Sequence, residues 1–225
     1  MSINRTKYNE IIGGLGDKVK LVAVSKTKSV TDIQELYDLG QKDFGENYVQ
    51  ELIDKYEALP KDINWHFIGH LQSNKVKYIA SFIHLVHGVD SFKLLKEINK
   101  QGKRNHRIIN CLLQVHIAIE ETKFGLDENE FSTIITRIKT NEDEFKNVCV
   151  CGVMGMASFT DDIVNLTSEF KYLRSLFDKY FQFPISNFQF PILSMGMSAD
   201  YKIAIKEGSN MVRIGSLIFG ERTSS

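Results

Sequence analysis

Short apolar runs rich in β-branched residues alternate with amphipathic stretches from one end of the chain to the other. Eight runs read as strands. They cover 20–26 (KLVAVSK), 43–47 (DFGEN), 64–69 (NWHFIG), 85–90 (LVHGVD), 109–117, 148–157 (VCVCGVMGMA), 192–197 (ILSMGM) and 211–219 (MVRIGSLIF). Runs such as LVAV and CLLQV are apolar on both faces, as expected of parallel strands covered by helices. Thr31 and Asp32 can cap a helix carrying Ile33, Leu36, Tyr37 and Leu39, with Gly40 just past its end. Ser91 opens a second such stretch that ends at Gly102. Residues 161–180 place Ile163, Leu166, Phe170, Leu173, Leu176 and Phe177 on one stripe at helical spacing. Ser198, Ala199 and Asp200 open the last internal helix, which stops at Gly208. The alternation predicts an α/β chain forming a closed (β/α)8 barrel of the TIM type. An open doubly wound sheet is the other architecture that it permits.

Composition narrows the choice of function. The chain has 225 residues with 28 basic and 28 acidic side chains, so its formal net charge is zero. No basic excess exists to grip a phosphate backbone, and a nucleic-acid partner is not expected. No apolar run approaches the roughly 18–20 residues that span a bilayer. The N-terminus lacks the apolar core of a secretory signal, and three cysteines form no disulfide framework, so a reduced cytoplasmic setting is expected. Three prolines and no low-complexity tract leave no obvious linker, which predicts one domain over 1–225.

Several motifs lose their first appeal on inspection. Gly13-Gly14-Leu15-Gly16 precedes the first strand instead of following it, so it reads as an entry loop and not a dinucleotide fingerprint. His66 and His70 have the spacing of a zinc-binding helix but lack its glutamate, and Trp65 and Gly69 suggest a strand end. No metal is expected there, although histidines at a strand end can face a pocket. Cys149 and Cys151 share one strand face and read as small core residues. The basic cluster 103–107 reads as a solvated helix end, where cations also suit the helix dipole.

Two features point to chemistry. Lys26 leaves the apolar strand Leu21-Val22-Ala23-Val24-Ser25 at its C-terminal end, and in parallel α/β proteins the carboxyl ends of the strands surround the active site. A desolvated amine there has a lowered pKa and can form a Schiff base with an aldehyde. The second feature is the pair of segments Ser194-Met195-Gly196-Met197-Ser198 and Arg213-Ile214-Gly215-Ser216. Loops after the seventh and eighth strands of such barrels bind phosphate. Ser198 and Ser216 supply hydroxyls, and Gly215 allows close backbone approach. Arg213, two residues before Gly215, can turn into the mouth. An aldehyde handle and a phosphate handle together describe pyridoxal 5′-phosphate (PLP).

In order, LVAVSK, FGENYVQE, WHFIGHLQSNK, GVMGMA, LSMGMSADYKIAIKEGS and VRIGSLIFGER make the chain resemble the pyridoxal phosphate homeostasis proteins, a group similar to the N-terminal barrel of alanine racemase. The resemblance implies that Lys26 holds PLP covalently and that Ser198, Gly215 and Ser216 hold its phosphate. It also implies that Arg213 faces the pyridine nitrogen and that Asn47 lies beside the cofactor. Ser216 stands where threonine is frequent in relatives, and His70 where proline is. The chain ends at Ser225 without a segment for the second domain that gives racemases their tyrosine base. A non-catalytic, monomeric cofactor carrier serving PLP-dependent apoenzymes is therefore expected. The enzymatic alternatives are a small amino-acid racemase, with Tyr48 or His66 as second base, or a class I aldolase using Lys26.

Overall fold

A computed structural model describes residues 3–120, 123–181 and 191–220. Eight parallel strands close into one barrel in sequence order. They are β1 (Lys20–Val24), β2 (Asp43–Glu46), β3 (Asn64–Phe67), β4 (Leu85–Val89), β5 (Ile109–Val115), β6 (Val148–Gly155), β7 (Ile192–Ser194) and β8 (Met211–Ile214). Closure is made by β1 on β8, where Val22 pairs with Arg213 and Ala23 with Ile214. The open sheet is thereby excluded. Around the barrel lie α1 (Arg5–Leu15), α2 (Val30–Asp38), α3 (Val49–Ala58), α4 (Val76–Ile79), α5 (Phe92–Arg104), α6 (Glu128–Thr140), α7 (Ile163–Tyr180), α8 (Tyr201–Lys206) and α9 (Ser216–Phe219).

Alternation along the strands divides the core in two. Leu21, Ala23, Phe44, Trp65, Phe67, Val86, Val212 and Ile214 point outward and pack under the helices. Val22, Leu85, Leu112, Cys151, Met154 and Met211 fill the barrel interior. Each fully buried aliphatic side chain in either layer contributes about 1.5–3 kcal/mol through water exclusion. The two cysteines of β6 take the core role expected of them, with their sulfurs 3.5 Å apart.

Several element ends differ from the pattern-based expectation, each for a local reason. Helix α2 is capped by Ser29, which forms a reciprocal capping box with Asp32 and so displaces the Thr31 start. The Gly13–Gly14 segment is helical, because burial of Tyr8, Ile11 and Leu15 outweighs the glycine penalty, and the turn comes at Gly16. Helix α5 runs through Gly102 to Arg104. Arg107 is no solvated end: its guanidinium donates to the carbonyls of Ala80 and Ile83, each at 3.0 Å. Ile163 opens α7 but is exposed, while Leu166, Phe170, Leu173 and Leu176 carry the buried stripe. The final apolar run divides after Ile214, and 216–219 is a helical turn. Glu221 and Arg222 of the last motif lie outside the described residues.

Candidate functional site

Val22 of β1 faces the barrel interior, and Lys26, two residues past the end of β1 at Val24, lies at the C-terminal mouth. Lys26 is half-buried in the turn after β1, and Thr27 behind it has a φ of 65°. An elaborate set of contacts fixes this turn. The buried ammonium of Lys55 on α3 donates to the Ser25 carbonyl at 2.7 Å, to Glu46 Oε1 at 2.8 Å and to Glu51 Oε1 at 2.7 Å. Ser25 donates its hydroxyl to Glu46 at 2.6 Å, and the Thr27 amide donates to Glu51 at 2.5 Å. Burial pushes the Glu46 carboxyl above its ordinary pKa, with Lys55 and Ser25 opposing the shift. On the other side, Lys28 Nζ reaches the carbonyls of Phe219 and Gly220 at 3.0 and 3.2 Å. The turn bearing Lys26 is thus clamped between α3 and the end of α9.

Asn47 follows β2 directly, two residues beyond the inward-facing Gly45. Its Oδ1 is buried and has no hydrogen-bond partner, which is costly for an amide oxygen and marks a position prepared for a donor. Gly69 lies against it, since a Cβ there would stand 2.6 Å from the Asn47 carbonyl oxygen.

Arg213 projects inward from β8 and is almost completely buried. Nη1 donates to the carbonyl and hydroxyl of Ser194 at 3.0 and 2.7 Å, and Nη2 donates to the Gly155 carbonyl at 3.1 Å. Burial lowers its pKa to about 10, with Asp200 acting in the opposite direction, so the guanidinium remains charged at neutral pH. Gly215 sits beside β1, where an added Cβ would stand 3.0 Å from the Val24 carbonyl oxygen. It therefore adjoins the strand that delivers Lys26.

Ser198 departs from its expected position. It lies in a turn before α8, whose cap is Asp200, and its hydroxyl accepts from the Gly215 amide at 3.3 Å. The expected clamp is therefore tied together by an internal contact: the β7 loop is fastened to the β8 loop. Asp200 in turn accepts from the Met197 amide at 2.5 Å. Ser216 is exposed at the start of α9.

The two histidines separate. His70 lies on the mouth side, 2.9 Å from Asp90 and stacked on Phe124 with ring centroids 4.3 Å apart. His66 is not at a strand end. It points into the barrel and is fully buried, so it cannot serve as a second base on an external substrate. Its Nε2 is 2.9 Å from Asp43 Oδ1 and its Nδ1 is 2.8 Å from His87 Nε2. His87 Nδ1 is 3.3 Å from the Ser194 hydroxyl. The carboxylate can only accept, which orients the whole line. Arg213 donates to Ser194, Ser194 to His87, His87 to His66, and His66 to Asp43. Burial lowers the pKa of both histidines, and both are neutral at physiological pH. Of this line the sequence offers only His66 and Arg213 as candidates; Asp43, His87, Ser194 and the Lys55 cluster carry no signal in their own segments.

A depression of about 410 Å³ beside the mouth is lined by Asn47, Tyr48, Phe67, His70, Gln72 and Tyr78, among others. A second, of about 560 Å³, lies over Thr27–Val30 and reaches Glu51, Asp54 and Lys55. Neither includes Arg213, Ser198, Gly215 or Ser216.

Comparison with known proteins agrees with this architecture. The alanine racemase N-terminal domain family matches residues 5–223. A pyridoxal phosphate homeostasis protein of Aquifex aeolicus is 40% identical over 204 residues, covering 90% of this chain and 87% of its own. The human protein of that name is 38% identical, covering 92% of this chain and 78% of its own. Among solved structures, PipY of Synechococcus elongatus with PLP bound has a TM-score of 0.84 at 29% identity, covering 96% of this chain and 99% of its own.

Proposed function

The chain belongs to the pyridoxal phosphate homeostasis family, built on the alanine racemase N-terminal domain, and from that premise we propose that it binds PLP at the C-terminal mouth of its barrel and holds it without turnover. The observation that carries this reading is the buried Arg213 guanidinium, held by Ser194 and Gly155 at the mouth to which β1 delivers Lys26. The orphaned Asn47 oxygen supports it independently.

When bound, PLP supplies an aldehyde for attachment to an amine and a ring that stabilises carbanions once its nitrogen is protonated. Lys26 supplies the primary amine, in a turn fixed by Lys55 and Lys28. Ser198, Gly215 and Ser216 form the phosphate end, with Ser198 keeping the two loops together. Asn47, with its unpartnered Oδ1, would offer the cofactor an acceptor. Arg213 is cationic and can only donate, so beside the pyridine ring it would favour an unprotonated nitrogen that accepts. A carboxylate would be required to keep that nitrogen protonated. The choice of arginine therefore disfavours carbanion chemistry and suits storage and delivery to PLP-dependent apoenzymes.

The test is the visible absorbance of full-length protein loaded with PLP, before and after borohydride reduction. A band from the attached cofactor is expected in the native chain and lost in Lys26→Ala; retention in the variant refutes the assignment of the lysine. Chiral analysis of amino acids incubated with the loaded protein tests the absence of turnover, and appreciable racemisation refutes it.

A further inference from the structure

At the opposite end of the barrel from Lys26, three side chains converge that take no part in the proposed cofactor site. Asp43 begins β2, His66 lies within β3, and His84 immediately precedes β4. Each offers one ligand atom, and these atoms all lie within 4.8 Å of one another. We propose that Asp43, His66 and His84 bind one divalent transition ion of the zinc, cobalt or nickel class.

The donor set selects that class. Two imidazoles and one carboxylate match the preferences of borderline ions, whereas calcium and magnesium favour all-oxygen shells. Three protein ligands leave at least one position for water. Both imidazoles are held neutral, as ligation requires. Burial is the main cause, and His84 is lowered to about 4. The His66 ring is also oriented in advance. His66 is fixed through its other nitrogen by His87, the outer hydrogen bond that commonly orients a ligating histidine. The His84 main chain is fixed by its amide, which donates to the Trp65 carbonyl at 2.9 Å. His84 is half-buried, so an ion can enter from the outside.

Without an ion, the site balances its charge internally. Lys20 Nζ stands 3.5 Å from Asp43 Oδ1, and Asn64 Nδ2 stands 3.4 Å from the same oxygen. Arg107 is the other cation acting on His84. Lys20 is about half exposed and can swing into solvent when a stronger cation arrives. The protons also balance. His66 Nε2 must give up its hydrogen to bind the ion, so the His66 proton moves to Nδ1 and the His87 proton moves from Nε2 to Nδ1. The Ser194 oxygen then accepts from both His87 and Arg213. No net proton is released, and the hydrogen-bonded line toward Arg213 reverses direction at His66 and His87.

The experiment uses chelator-treated, PLP-free full-length chain titrated with cobalt(II), followed by visible absorbance and calorimetry, with nitrogen NMR of the imidazoles on zinc addition. One ion per chain, His66 and His87 tautomers that switch, and at least about tenfold weaker binding in His84→Ala are expected. Lys20→Ala should bind several-fold more tightly, because a competing ammonium is removed. Circular dichroism of each variant establishes that it is folded. No binding at millimolar cobalt overturns the proposal. Equal affinity in His84→Ala overturns it as well, as does a thiolate charge-transfer band, which would place the ion at Cys149 and Cys151. None of these outcomes depends on whether PLP binds.

Discussion

The ammonium of Lys55 donates to the main-chain carbonyl of Ser25, 2.7 Å away and one residue before Lys26. A buried charge on α3 therefore sets the height at which the proposed cofactor lysine leaves β1. The same ammonium neutralises Glu46, which is completely buried.

Lys55→Met is expected to destabilise the protein by about 3–5 kcal/mol, because it leaves Glu46 buried without a counter-ion. Glu46→Gln in the same background should recover part of this loss by removing the stranded charge. Urea unfolding of the two variants measures both effects. A loss below about 1 kcal/mol in the single variant would mean that the cluster is not the clamp described.

Acid should weaken the fold between pH 6.5 and about 4. The folded-state pKa of His84 is lowered to about 4, mainly by burial, so in this window the unfolded chain binds more protons than the folded one. Stability is then fully present above the unfolded value and falls as pH decreases. The full shift from 6.5 to about 4 corresponds to about 3 kcal/mol, and solvent screening at this half-buried ring reduces it to about 2 kcal/mol. Burial also lowers the pKa of His66 and His87, and both act in the same direction. The pH dependence of the urea midpoint measures the slope, and His84→Gln should flatten it in part.

Ser194→Ala removes an acceptor from Arg213 and the donor to His87 Nδ1. Leaving buried polar atoms unpaired costs about 1–3 kcal/mol. Because Arg213 then keeps only main-chain acceptors, PLP affinity should fall along with stability. Titration with PLP, monitored by absorbance, separates this case from a purely structural loss, in which affinity would be unchanged.

Gly152→Ala should be among the most damaging small changes. Gly152 lies at the register shift between β5 and β6 with a φ of 153°, and an added Cβ would collide with the Ile192 carbonyl oxygen of β7. Strain and collision together should exceed about 2 kcal/mol. Thermal unfolding checks this, and a melting temperature equal to that of the native chain would contradict it.

Much of the fold was legible in the chain because its causes are local. Short continuous apolar runs mark strands buried on both faces, and stripes such as Leu166–Phe170–Leu173 mark the helices that cover them. The departures from that pattern are local too. Ser29 competed with Thr31 for the same helix start, and Gly13 and Gly14 suggested a loop where three buried neighbours enforce a helix. Ser198 resembles a helix start in the chain because Asp200, the cap in the fold, lies only two positions farther on.

The sequence by itself determined the succession of strands and helices and the inward turn of Arg213, since alternation along a strand is a property of consecutive residues, whereas strand order and closure came from the β1–β8 pairing. Only the tertiary structure decided what those residues touch. Asp43, His66, His87, Ser194 and Arg213 sit on five different strands, and each is unremarkable in its own segment. Barrel closure brings them into one hydrogen-bonded line, because a buried polar group must find its partner wherever the fold puts one. Lys55 and Ser25, thirty residues apart, meet for the same reason.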